Sequence, residues 1–249
     1  MKPKKLKSLE EARYILLRKL EEWTLSNQLE IQSESKILRY EVALENAYPL
    51  DWLILQDCQH KIYWENRTQK EQFAGIGSAL VLKDGADGYE KILLNISNLL
   101  KNSSKSIRFF GGMRFDSSVS ISEEWRDWGS ALFTLPMVEL SIINNDITLA
   151  CHILKDKDFK KRLQELQKIL EKMRVEDFEI PDSPLIRLER HDLPEYREWC
   201  RIVEKGLQKI LEGKLNKIVL ARTAIFSLAR DYDPNEILLQ LKRQAPQAF

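Results

Sequence analysis

The sequence predicts an α+β fold, a large, mainly antiparallel sheet scaffold with flanking helices. Long strand-like runs are grouped and interrupted by separate amphipathic helices, instead of alternating with them one for one. The runs 131–143 and 146–154 meet at Asn144, Asn145 and Asp146, the chemistry of a tight hairpin turn. Hydrophobic residues make up 43% of the 249, enough for a sizeable core and against wholesale disorder.

The elements follow in order. Ser8 and Glu11 form a capping box, and Ala12, Leu16, Leu20 and Trp23 recur at helical spacing behind it. LRYEVALE (38–45), DWLILQ (51–56), KIYWEN (61–66) and SALVLK (78–83) read as strands between polar breaks. GYEKILLNISNLLKN (88–102) reads as a helix. SIRFFGGMRF (106–115) is a strand interrupted by Gly111 and Gly112, where a bulge or a close backbone approach would require glycine. After the hairpin, Phe159, Leu163, Leu166, Leu170 and Met173 mark an amphipathic helix, and 174–194 reads as a connector with three prolines. Asp192, Pro194 and Glu195 open a third clear helix with the stripe Tyr196, Trp199, Val203, Leu207 and Ile210, stopped at Gly213. KIVLARTAIFSL (217–228) reads as a buried strand, and Asp233, Pro234 and Glu236 open a last helix.

Lysine plus arginine total 39 and aspartate plus glutamate 38, a net charge of +1 that excludes a strongly cationic nucleic-acid binder. Cys58, Cys151 and Cys200 are few, odd in number and far apart, which suits free thiols in a reducing compartment. The N-terminal stretch lacks a signal peptide's uninterrupted apolar core, and no apolar run reaches membrane-spanning length. The expectation is a cytoplasmic protein without a membrane span or a nucleic-acid partner.

Few motifs carry chemistry. Gly75-Ile76-Gly77-Ser78 lacks the Gly-Lys-Ser/Thr of a phosphate loop and reads as a tight turn. Cys58 with His60, and Cys151 with His152, are too few for a zinc site; a Cys–His nucleophile pair stays open, with the two histidines otherwise structural or exposed. Trp125 and Trp128 read as core packing, and the charge runs KPKKLK and KDKDFKKR as solvated faces. Lys217 opens the run KIVLAR. In a strand, Lys217, Val219, Ala221 and Thr223 share one face and Ile218, Leu220 and Arg222 the other. A lysine desolvated among small apolar neighbours becomes a base near neutral pH. The alternative is a strand-entry lysine whose ammonium reaches solvent.

Three segments together resemble the chorismate-utilising enzymes, whose fold this chain would share as their N-terminal part. RFFGGMRFD with EEWRDWGSALFTLPMVEL resembles that family's N-terminal signature, and VEKGLQKILEGKLNKIVLAR (203–222) its helix-to-strand signature. YEVALENAYPLDWL, KIYWENR and AGIGSA are similar to the opening of isochorismate synthases. The resemblance implies Mg²⁺-dependent conversion of chorismate to isochorismate for menaquinone or phylloquinone synthesis, with Lys217 the catalytic base that activates water. Amine-transferring relatives typically carry glutamine there, and salicylate synthases, the nearest alternative, share the lysine. The resemblance further implies that the general acid, the Mg²⁺ ligands and other chorismate contacts lie outside this chain. The expectation is therefore one incomplete domain over 1–249, with a scaffold at 1–180 and the start of the catalytic region at 181–249, inactive alone, and poorly soluble if sheet edges are left bare. A non-catalytic module for binding or assembly is the alternative of another class.

Overall fold

The structure, a computed structural model, describes residues 6–25, 35–83, 89–116, 120–176, 189–227 and 231–245. The chain divides into two compact units, Met1–Phe178 with Pro234–Phe249, and Glu179–Asp233.

The first unit opens with helix α1 (Leu9–Leu25). Its capping box is reciprocal: Ser8 N–H donates to Glu11 Oε2 at 3.0 Å, and Glu11 N–H donates to Ser8 Oγ at 3.2 Å. Then come β1 (Ile37–Leu44), α2 (Pro49–Leu55), β2 (Lys61–Glu65), β3 (Glu71–Ile76), β4 (Leu80–Lys83) and α3 (Tyr89–Leu100). They are followed by β5 (Phe110–Met113), β6 (Ala131–Leu135), β7 (Val138–Ile143), β8 (Asp146–Leu154) and α4 (Phe159–Lys172). Five strands form one antiparallel sheet in the order β1-β8-β7-β3-β2, and three form a second in the order β4-β6-β5. The anticipated hairpin joins β7 to β8, with Asn144 and Asn145 at φ 50° and 76°.

Two strand expectations in this unit fail for physical reasons. DWLILQ is helical, not a strand: Pro49 sits in the first turn of α2, where its missing N–H costs nothing, and Leu50, Trp52 and Leu53 are buried. A short apolar run carries no period of its own to decide between the two. The run 131–143 is two strands in different sheets, broken at Pro136, which has no N–H to offer a ladder.

The two faces of the five-stranded sheet differ in chemistry. One carries Val42, Leu44, Leu149, Cys151, Val138, Leu140, Ala74 and Ile76, and packs into a single core with Ala12, Leu16 and Leu20 of α1 and Phe159, Leu163, Leu166 and Leu170 of α4. Each fully buried leucine there contributes about 2 kcal/mol. The other face is polar although buried: Glu139, Ser141 and His152 are each at most 1% exposed. Ser141 and Thr148 hydroxyls pair across strands at 2.9 Å. Phe73 on this face meets the Phe110 ring of β5 at 5.5 Å, and the Arg108 guanidinium lies 4.7 Å from the Phe73 ring centre.

The last helix, α6 (Pro234–Gln244), belongs with this unit and packs against α2. Lys242 anchors it. Its ammonium donates to Tyr63 Oη at 3.1 Å and pairs with Glu65, whose carboxylate also accepts from Tyr63 Oη. Burial, then the Glu65 carboxylate, pushes the Tyr63 phenol well above its ordinary value. Removing the cation leaves the nearly buried Glu65 charge unmatched, so Lys242→Ala should cost about 2 kcal/mol, read as a lower urea midpoint. Adding Glu65→Gln should recover part of that loss.

The second unit comprises β9 (Glu189–Leu193), α5 (Tyr196–Leu211) and β10 (Thr223–Ser227), with β9 and β10 an antiparallel ribbon. Asp192 does not cap α5 as expected. It lies within β9, where its carboxylate accepts from Arg190 Nε at 2.9 Å and pairs with Arg222, and Glu195 takes the cap position instead. Gly213, at φ 67°, ends the helix in the left-handed region as anticipated.

Candidate functional site

Lys217 follows the C-terminal turn of α5. The N–H groups of Lys214 and Leu215 both return to Lys209 O, at 2.9 and 3.2 Å, closing the helix end and turning the chain back. Residues 217–222 then run alongside α5 without a strand partner, and pairing begins only at Thr223. The expected buried strand over 217–228 is therefore not found. Its described strand portion, Thr223–Ser227, is exposed throughout, and among the described residues it pairs only with the short β9. Residue 228 lies outside the described residues.

The alternation inferred from sequence nevertheless sets the orientation of this segment. Ile218 lies over Gly206 of α5, where an added Cβ would stand 3.4 Å from Ile218 Cγ2. Arg222 pairs with Asp192 and sits 5.8 Å from the Trp199 ring centre. That face of the segment is thus held by α5 and β9. The opposite face, with Lys217, Val219 and Ala221, is exposed, and Val219 is 80% accessible. The apolar surroundings expected for Lys217 are not supplied by this unit. Its ammonium makes no ion pair among the described residues.

The Cys–His readings are settled by geometry. Cys58 Sγ lies 3.5 Å from the backbone oxygen of His60, not its ring, and burial raises the thiol's pKa. Cys151 and His152 are neighbours on a strand and point to opposite sheet faces. Burial pushes the Cys151 thiol up to about 12, which leaves it protonated and inert. Gly77, at φ 65°, forms the turn after β3, in line with the tight-turn reading. Among the described residues, no three His, Cys, Asp or Glu side chains come together to hold a metal ion. Trp125 and Trp128 are not core residues. They stand 59% and 47% exposed, pair edge-to-face at 6.2 Å, and wall a ≈ 530 Å³ pocket with Met113 and Phe115.

Sequence reasoning missed one buried charge network. Arg39 donates to Glu41 and Glu139, each at 3.0 Å, and its Nη1 lies 2.5 Å from His152 Nε2. His152 Nδ1 lies 3.0 Å from Pro136 O, a pure acceptor, so Nδ1 carries the proton and Nε2 accepts from Arg39. The alternation of LRYEVALE, which sets Arg39 and Glu41 on one face against Leu38, Tyr40 and Val42, was the available signal. Burial, then the Arg39 charge, lowers His152 to about 3. Burial raises Glu139, against the opposing pull of Arg39. As pH falls from 6.5 towards 3, the unfolded chain protonates this histidine and the folded one does not. The group's contribution is therefore complete above 6.5 and falls by about 1.4 kcal/mol per pH unit below it. Glu139 acts in the opposite sense above its unfolded pKa. The direct check is ¹⁵N NMR, in which the His152 ring should show no titration between about pH 8 and pH 4.

The sequence profile of the chorismate binding enzymes matches residues 23–249. Isochorismate synthase 2, chloroplastic, of Arabidopsis thaliana is 28% identical over 71% of this chain and 33% of its own length. The isochorismate synthase MenF of Pasteurella multocida is 24% identical over 87% of this chain and 45% of its own. The solved structure of the menaquinone-specific isochorismate synthase MenF from Escherichia coli superposes with a TM-score of 0.68 at 19% identity, over 96% of this chain and 50% of that one. The α+β architecture with its large antiparallel sheet is thereby shared with a solved fold. The chain spans a third to a half of the length of these relatives.

Proposed function

This chain belongs to the chorismate-binding enzyme family, and on that premise we propose that it takes part in converting chorismate to isochorismate, with Lys217 as the base. The observation that carries the proposal is the lysine at the head of KIVLAR, held on the exposed face of its segment by Ile218 and Arg222 on the other. In the reaction a water oxygen bonds to C2 of the ring, the ring double bonds shift, and the C4–oxygen bond breaks. Neutral Lys217 Nζ would take the proton from the attacking water, while an acid supplies a proton to the departing hydroxyl. A glutamine at this position could not accept that proton.

The Mg²⁺ dependence implied by the resemblance belongs to the same proposal, as do the menaquinone or phylloquinone branch and a cytoplasmic location. Among the described residues no helix is long and apolar enough to cross a membrane. The similarity of YEVALENAYPLDWL and KIYWENR to isochorismate synthase openings supports the quinone branch.

The test is chorismate turnover with Mg²⁺ by the native protein purified from its source, with products identified by chromatography. Isochorismate is expected. Salicylate with pyruvate would move the protein to the salicylate synthases. No turnover by folded protein would leave a non-catalytic module.

A further inference from the structure

The unit Glu179–Asp233 holds Lys217 with little apolar packing, since only Gly206 among its described residues is buried. The 217–222 segment also has no ladder partner among them. With neither a core nor a ladder, its placement falls to side-chain contacts. One of these is Ile218 over Gly206. The other is a row of side chains centred on Asp192.

Arg190 and Asp192 are two apart in β9 and share a face, opposite Phe226 and Ala224 of β10. The Asp192 carboxylate is engaged at both oxygens. Oδ1 accepts from Arg190 Nε at 2.9 Å, and Oδ2 pairs with Arg222 Nη2. An aromatic ring flanks each cation: the Phe226 ring centre lies 5.8 Å from the Arg190 guanidinium, and that of Trp199 in α5 lies 5.8 Å from Arg222. The row therefore links β10, β9, the end of the 217–222 segment and α5. The side chains of Asp192 and Arg222 are only 26% and 30% exposed, so the pair is screened less than one on open surface.

We propose that Asp192 is a positioning residue for Lys217. By bridging Arg190 and Arg222 it clasps the far end of the segment that Lys217 heads, and so fixes where the amine stands. The proposal rests on the reading of Lys217 as the base. It requires a carboxylate at 192 and not merely a polar group. Asparagine has one acceptor oxygen, and its NH₂ would face a guanidinium, which only donates. Two cations would then share the row with no anion between them.

The experiment introduces Asp192→Asn into the native gene and purifies the protein from its source with ¹³C-labelled isoleucine methyls. One readout needs no turnover: the NOE between the Ile218 methyls and Gly206 Hα that their contact predicts. The proposal expects the variant to lose this NOE while those of Ile153, in the core of the first unit, persist. It expects kcat for isochorismate to fall about 10-fold or more with KM little changed, as a misplaced base requires. Asp192→Glu restores both acceptor oxygens and should recover the NOE and most of kcat. If Asp192→Asn does not fold, Arg222→Lys, which keeps the charge and loses the planar fork, is read in the same way. A retained NOE would overturn the clasp. A lost NOE at the parental kcat would overturn its role in positioning Lys217. No isochorismate from the parent would overturn the base assignment on which the proposal rests, and the NOE keeps that failure separate from failure of the clasp.

Discussion

Gly111→Ala is expected to destabilise the protein by about 3 kcal/mol or more, whereas Gly112→Ala should be nearly neutral. The two residues are adjacent in β5 and both are exposed, so neither burial nor sequence separates them. The backbone beside them does. A Cβ on Gly111 would stand 1.9 Å from Leu132 O and 2.7 Å from Phe133 Cα, both main-chain atoms of β6 that cannot swing aside. A Cβ on Gly112 would meet nothing within 4 Å. The β5–β6 register runs without interruption from Phe110 opposite Thr134 to Met113 opposite Ala131, so the glycines accommodate a close approach and not a bulge. Urea melts of the two variants, side by side, check the contrast. Equal midpoints would mean that the strands do not approach as described.

Lys217→Gln should lower the rate of isochorismate formation by about 10²–10⁴-fold, the range that a positioned general base contributes. Glutamine keeps most of the side-chain length and loses the ability to take a proton from water. The loss should therefore fall on kcat, with KM for chorismate changed little. Since Lys217 is exposed and makes no ion pair among the described residues, the substitution should leave the thermal midpoint within about 2 °C of the parent. A variant that retains full kcat would remove Lys217 from the chemistry.

The helices legible in the sequence are those with a long apolar period or chemical punctuation. The stripe of α4, the Ser8–Glu11 box of α1 and the stop at Gly213 all appear where expected. The Asn144–Asn145 turn was legible for the same reason, because its backbone demands those residues. What escaped depends on neighbours distant in sequence. DWLILQ is too short to carry a period, and its helix follows from Pro49 and from packing on the sheet. The 217–222 segment has the composition of a buried strand and lacks only a partner strand, which local sequence cannot reveal. Trp125 and Trp128 have the bulk of core residues, yet the fold leaves them on the surface. For the site itself, alternation set Lys217 apart from Ile218 and Arg222, and the exposed Lys217 of its own unit matches the alternative of a lysine that reaches solvent.

The most direct measurement of the central claim is isotopic. Native protein, chorismate and Mg²⁺ are incubated in H₂¹⁸O, and the isochorismate formed is analysed by mass spectrometry. Attack by a water molecule activated at Lys217 predicts one ¹⁸O in the product, in the hydroxyl at C2. Unlabelled isochorismate would mean that the original hydroxyl migrates without exchange, and would contradict the assignment of a water-activating base.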